Sequence, residues 1–129
     1  MDVFVNSLID LAAGWSMEQN LDDVAVVNNE EARRFEANVN GLRAMLTYRQ
    51  FPDRIIFDHT EVPPPLERKG LAANLTRAAL DFARAHHLRV VPECSYVASY
   101  IRRHPEVQDL VSPHDLQRIL SRSSTAPGS

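Results

Sequence analysis

The chain has 129 residues, 44% hydrophobic and 24% charged, with a net charge of −3 and a single cysteine, Cys94. That length suits one domain able to bury its own core. The acidic balance argues against a general nucleic-acid or membrane-surface binder, and a lone cysteine excludes an intramolecular disulfide framework. No run approaches the roughly 18 apolar residues of a transmembrane helix. The N-terminus lacks a basic segment and carries Asp2 and Asp10, so a signal peptide is not expected and a cytoplasmic protein is.

Residues 1–22 read as an N-terminal extension, a short helix with Phe4, Leu8, Leu11, Ala12 and Trp15 at helical spacing and Gly14 as its stop. The domain proper runs over residues 23–111. Val24–Val27 is a first apolar strand and Asn28-Asn29 its turn, since Asn tolerates left-handed backbone angles. Phe35, Ala37 and Val39 alternate with polar residues in a second strand. Asn40-Gly41, a strong hairpin signal, leads into a third strand carrying Leu42, Ala44, Leu46 and Tyr48 on one side. Phe51-Pro52-Asp53 turns the chain into a fourth, Arg54–Val62, so the first four strands form an antiparallel meander.

Three prolines and the basic turn Glu67-Arg68-Lys69-Gly70 follow. A helix then runs from Gly70 to about His86 with Leu71, Leu75, Ala78, Ala79 and Phe82 on one stripe. Leu88–Val91 is a fifth strand, parallel to the fourth because a helix intervenes. Ser95 is placed to cap a second helix, Tyr96–His104, stopped by Pro105. Residues 112–129 form a C-terminal helix and frayed tail. Ser112 is the N-cap, Pro113 the first position, and Leu116, Ile119 and Leu120 one face. The fold class is therefore α/β (α+β), a mixed sheet of four antiparallel strands plus a fifth parallel to the fourth, flanked by helices.

The strand–loop–helix at residues 54–86 carries the chemistry. No Ser, Thr, Asp or Asn stands just before Gly70 to cap the first helical turn, whose N–H groups and dipole favour an anion. Gly70 permits close approach, and Arg68 and Lys69 add charge, so phosphate is the expected guest. His59 shares strand parity with Ile55, Phe57 and Glu61. An imidazole there can accept a proton at neutral pH, and Glu61 can do so instead or orient it. Cys94 lies at the mouth of the second helix, where a thiol is a candidate nucleophile. It is also a residue type that is commonly just buried. The spacing of His59, Cys94 and His104 fits no zinc motif, so no metal is expected.

The order of elements resembles the GCN5-related N-acetyltransferase (GNAT) fold. Glu67–Ala72 matches that superfamily's acyl-CoA signature, (Gln/Arg)-x-x-Gly-x-(Gly/Ala), at Gly70 and Ala72 and departs from it at Glu67. The phrases His59-Thr60-Glu61-Val62-Pro63, Val90-Val91-Pro92, Cys94, Tyr96-Val97 and Tyr100–Glu106 are similar to small single-domain members of the YidJ/NATD1 type. The resemblance implies an acetyltransferase using acetyl-CoA, with an unidentified amine or protein acceptor. It places pantetheine between the fourth and fifth strands beside Val62. The pyrophosphate falls on Arg68, Lys69, Gly70, Leu71 and Ala72, with Arg103 a further candidate for the phosphates. Tyr96 or Tyr100 is the implied donor to the departing thiolate. His59 is the implied base, with Cys94 as nucleophile or thioester neighbour. The superfamily usually has one or two helices between its first two strands; here only a few residues fill that place, which leaves a non-catalytic acyl-CoA-binding or interaction module as the alternative.

Overall fold

The computed structural model describes residues 24–125; the helix expected over 1–22 lies outside the described residues. Five strands, β1 Val27–Asn29, β2 Arg34–Val39, β3 Leu42–Gln50, β4 Arg54–Glu61 and β5 Arg89–Pro92, form one sheet in sequential order. β1 to β4 pair antiparallel and β5 pairs parallel to β4. Helix α1, Leu71–Ala85, is the crossover between β4 and β5 that a parallel pair requires. Helices α2, Ser95–Arg103, and α3, Pro113–Thr125, follow β5.

Local chemistry explains most boundaries. Asn40 and Gly41 both take positive φ, 51° and 82°, the geometry of the two-residue turn joining β2 to β3. Ser112 Oγ accepts the Asp115 N–H at 3.1 Å and opens α3. Within α3 Ile119 is buried and Leu116 half-buried, but Leu120 is 43% exposed, so the apolar stripe is narrower than the sequence pattern predicts.

Two expectations shift. β1 begins at Val27 and contains Asn28 and Asn29, whereas Val24 and Val26 pack on the core without joining the ladder. The turn lies at Glu30–Arg33, because Asn28 Oδ1 accepts the Tyr48 hydroxyl at 2.7 Å and Asn29 Oδ1 accepts the Ala32 N–H at 3.1 Å. The N-cap of α2 is Cys94, with Ser95 its first helical residue and no side-chain cap bond. Cys94 holds extended backbone angles because its N–H donates to the Phe57 carbonyl at 2.8 Å, while its own carbonyl accepts the Ala98 N–H and starts the helix.

One face of the sheet builds the core. Register puts Phe35, Ala37, Ala44, Leu46, Tyr48 and Phe57 on the same side, and all are buried with Leu71, Leu75, Ala79 and Ala83 of α1. The rings continue this packing, Phe35 tilted on Tyr48 with centroids 5.3 Å apart and Tyr48 edge to face with Phe57 at 6.5 Å. The fully buried Leu75→Ala is expected to lower the unfolding free energy by about 2–5 kcal/mol. Leu120→Ala, on the exposed side of α3, is expected to change it by less than about 0.5 kcal/mol. Urea denaturation distinguishes them, and equal losses would contradict this placement of the core.

Candidate functional site

The ladder between β3 and β4 slips once. Tyr48 opposes Phe57, but Thr47 opposes His59, so Asp58 has no counterpart and forms a bulge. Directly opposed residues share a face. Beyond the bulge the alternation of β4 is therefore inverted: Thr60 joins the core side with Leu46, and His59 and Glu61 fall on the reverse side with Thr47 and Met45. This corrects the parity expected for His59 and Glu61, which share a face with each other but not with Ile55 and Phe57.

The same bulge ends the parallel pairing. β4 and β5 pair from Arg54↔Arg89 to Phe57↔Pro92, and the Cys94 N–H to the Phe57 carbonyl is the last rung. β4 runs on to Glu61 without β5 at its side, and among the described residues no strand pairs with this edge from Asp58 to Glu61.

Next to that edge the three prolines enter a tight turn, Pro64–Leu66, closed by Leu66 N–H to the Pro63 carbonyl at 2.8 Å. Leu66 is buried and anchors the loop in the core. Arg68 and Gly70 both have positive φ, 64° and 85°, and Gly70 caps α1 without a side-chain bond. The first helical bond runs from Asn74 N–H to the Gly70 carbonyl, so the N–H groups of Leu71, Ala72 and Ala73 have no acceptor within the helix. They border a cleft of about 230 Å³ lined by Val62, Leu66, Glu67, Arg68, Gly70–Ala73 and Tyr96.

Of the residues singled out for cofactor binding, Val62, Arg68, Gly70, Leu71, Ala72 and Tyr96 meet in this cleft. Lys69, although in the same loop, does not line it. Tyr100 is buried and stacked on the His104 ring at 3.9 Å, and that burial raises its phenol above the usual value. Arg103 is exposed and donates to Ser99 Oγ at 2.6 Å. A larger depression of about 460 Å³, lined by Asp53, Arg54, Arg89 and Asp109, lies at the opposite ends of β4 and β5. Ligands of parallel strands sit at the carboxyl ends, which favours the smaller cleft.

The candidate catalytic groups separate into two sets. Cys94 is buried, and its Sγ lies 3.1 Å from Thr60 Oγ1. His59 and Glu61 are about two-thirds exposed, with Nε2 and Oε1 4.0 Å apart. The structure thus brings His59 to Glu61 and Cys94 to Thr60, not His59 to Cys94. Thr60 escaped sequence reasoning because only the bulge turns it toward the core. Among the described residues no group of three His, Cys, Asp or Glu side chains is placed to hold a metal ion.

A mixed sheet whose last, parallel strand follows a crossover helix is the construction of a GCN5-related N-acetyltransferase domain, and the comparisons agree. Residues 34–110 match the family described as GCN5-related N-acetyl-transferase. Protein NATD1 of Mus musculus is 34% identical over 90 residues, covering 67% of this chain and 82% of the relative. Protein NATD1 of Homo sapiens is equally similar, with 80% of its length covered, and that of Danio rerio is 29% identical over 98 residues, covering 74% of this chain and 84% of the relative. The chain belongs to the GCN5-related N-acetyltransferase family and is of the NATD1 type.

On the reverse face, Glu36 shares a row with Met45 and Glu61. Hydrogen bonds from Arg34, and secondarily from Asn29, hold its carboxyl below the ordinary value of 4.5. A depressed folded-state value stabilises the protein fully above the ordinary value, and the contribution is lost as pH falls through the folded one. Glu36→Gln is therefore expected to flatten the dependence of stability on pH below about 4.5. An unchanged acid limb in denaturant titrations would contradict it.

Proposed function

We propose that the chain transfers an acetyl group from acetyl-CoA to an amine. The observation that carries this reading is the cleft at the uncapped start of α1, continuous in sequence through Val62 with the end of β4, which pairs with β3 but not with β5. Acetyl-CoA supplies an acetyl thioester, already activated toward nucleophiles. The N–H groups of Leu71, Ala72 and Ala73, with Arg68, hold its pyrophosphate. The free edge of β4 pairs with its pantetheine amides as an added strand would. His59 or Glu61, exposed on the reverse face, takes the proton from the acceptor nitrogen. Tyr96, which lines the cleft, is the donor to the departing sulfur.

Direct transfer has the better geometric support, because His59 is on the opposite face of β4 from the Thr60 that touches Cys94. A route through Cys94 remains the second reading, since that thiol stands at the end of β5 and the mouth of α2. Release of free CoA with a panel of amines tests the transferase reading; saturable CoA binding without turnover on any acceptor would instead mark a binding module. For direct transfer, Cys94→Ala is expected to stay active, and the His59→Ala, Glu61→Gln double variant to lose about 10²-fold in kcat. A labile acetyl adduct in intact-protein mass spectra, lost in Cys94→Ala together with activity, would overturn direct transfer in favour of the thiol route.

A further inference from the structure

Arg49, near the end of β3, reaches past its neighbouring strand to the exit of the next. Register sets Arg49 opposite Ile56 and Ile56 beside Val91, so the three form a row on the reverse face across β3, β4 and β5. Arg49 Nε lies 3.4 Å from Asp58 Oδ2, and a terminal nitrogen of its guanidinium lies 3.2 Å from Glu93 Oε1. Asp58 is the bulge residue, whose other carboxylate oxygen is enclosed without a hydrogen-bond partner. Glu93 is the first residue after β5 and immediately precedes Cys94, and its N–H bends back to the Val91 carbonyl at 3.1 Å. One guanidinium therefore grips both sides of the gap where β4 and β5 part.

These pairs are partly exposed, at 50% for Arg49, 34% for Asp58 and 54% for Glu93. Ion pairs so solvated contribute little to overall stability. Their effect is geometric. A planar guanidinium that hydrogen-bonds Glu93 with one nitrogen and ion-pairs with Asp58 through another sets the spacing between its partners, which a point-charge ammonium does not. The residues it ties lie one position from His59 on β4 and one from Cys94 after β5.

We propose that Arg49 is a positioning residue that sets the opening between β4 and β5 beyond Phe57, and through it the placement of the thioester against His59 and Glu61. The link to catalysis rests on the acyl-CoA reading; the clamp itself does not. The first measurement accordingly needs no ligand. Amide hydrogen exchange of the ligand-free protein is followed at Asp58–Glu61 and at the Cys94 N–H, the last rung between the strands, in wild type, Arg49→Ala, Arg49→Lys and Glu93→Gln.

Arg49→Ala is expected to speed exchange at these amides about tenfold while the amides of α1 keep their protection, a local opening of the kind native-state exchange resolves. Glu93→Gln, a change at an exposed side chain, is expected to do so partially. Turnover with acetyl-CoA is expected to fall by about 10- to 100-fold in Arg49→Ala, mainly in kcat, as for a reacting group misplaced by about 1 Å. Arg49→Lys is expected to recover part of that loss by meeting one carboxylate. Unchanged exchange at Asp58–Glu61 and Cys94 in Arg49→Ala, or loss of protection spread evenly through the core, would overturn the clamp. Local opening in a protein that fails to bind acetyl-CoA would keep the clamp and remove the cofactor reading instead.

Discussion

At Phe57 the sheet changes character. Up to that residue β4 is paired on both sides, and the last backbone bond on the β5 side comes from Cys94, two residues after β5 ends, whose N–H donates to the Phe57 carbonyl. One residue later, Asp58 stands without a partner on β3. A bulge bends its strand and increases the local twist, so the end of β4 parts from β5 rather than continuing beside it. The rest of the site follows from this single inserted residue. It exposes a strand edge, turns Thr60 inward to Cys94 and turns His59 and Glu61 outward to the reverse face. A regular strand would have placed His59 with Phe57 in the core.

The second component of the site is held by independent means. The proline turn carries buried Leu66 into the core, and α1 is fixed along its length by Leu71, Leu75, Ala79 and Ala83. This packing keeps the uncapped amides of α1 in place although no side chain of the loop caps them. Left-handed Arg68 costs conformational energy that a glycine would avoid, and the fold accommodates it where a basic side chain borders the cleft. Packing energy and site geometry thus have separate sources: the core faces of β2, β3 and α1 provide the first, and the bulge and the loop provide the second.

Much of the architecture was legible in the sequence because it depends on local signals. Asn40-Gly41 specifies its hairpin through two positive φ angles, the stripe of Leu71, Leu75 and Ala79 specifies which side of α1 is buried, and Ser112 caps α3. Arg68, Gly70, Leu71 and Ala72 of the α1 cleft were legible for the same reason, since a basic glycine turn before an apolar helix is a contiguous pattern; Val62 and Tyr96 came from the family resemblance, and Leu66 and Ala73 were not singled out. Register was not. Strict alternation along Arg54–Glu61 assigns His59 to the wrong face, because nothing in Asp58 itself marks it as the unpaired residue. Asn28 and Asn29 read as a turn until Tyr48, 20 residues along the chain, supplies the hydroxyl that holds Asn28 in the strand. Arg49 escaped notice because its partners, Asp58 and Glu93, become neighbours only when β3, β4 and β5 are assembled.

The central claim is that the parted end of β4 and the uncapped start of α1 form one acyl-CoA site. Backbone amide shifts of isotope-labelled protein titrated with acetyl-CoA test it most directly. The account predicts saturable shifts concentrated at Asp58–Val62 and at Arg68–Ala73, with Tyr96 responding and the opposite ends of β4 and β5, around Arg54 and Arg89, silent. Saturable shifts confined to that opposite end, or the absence of any saturable response, would contradict it.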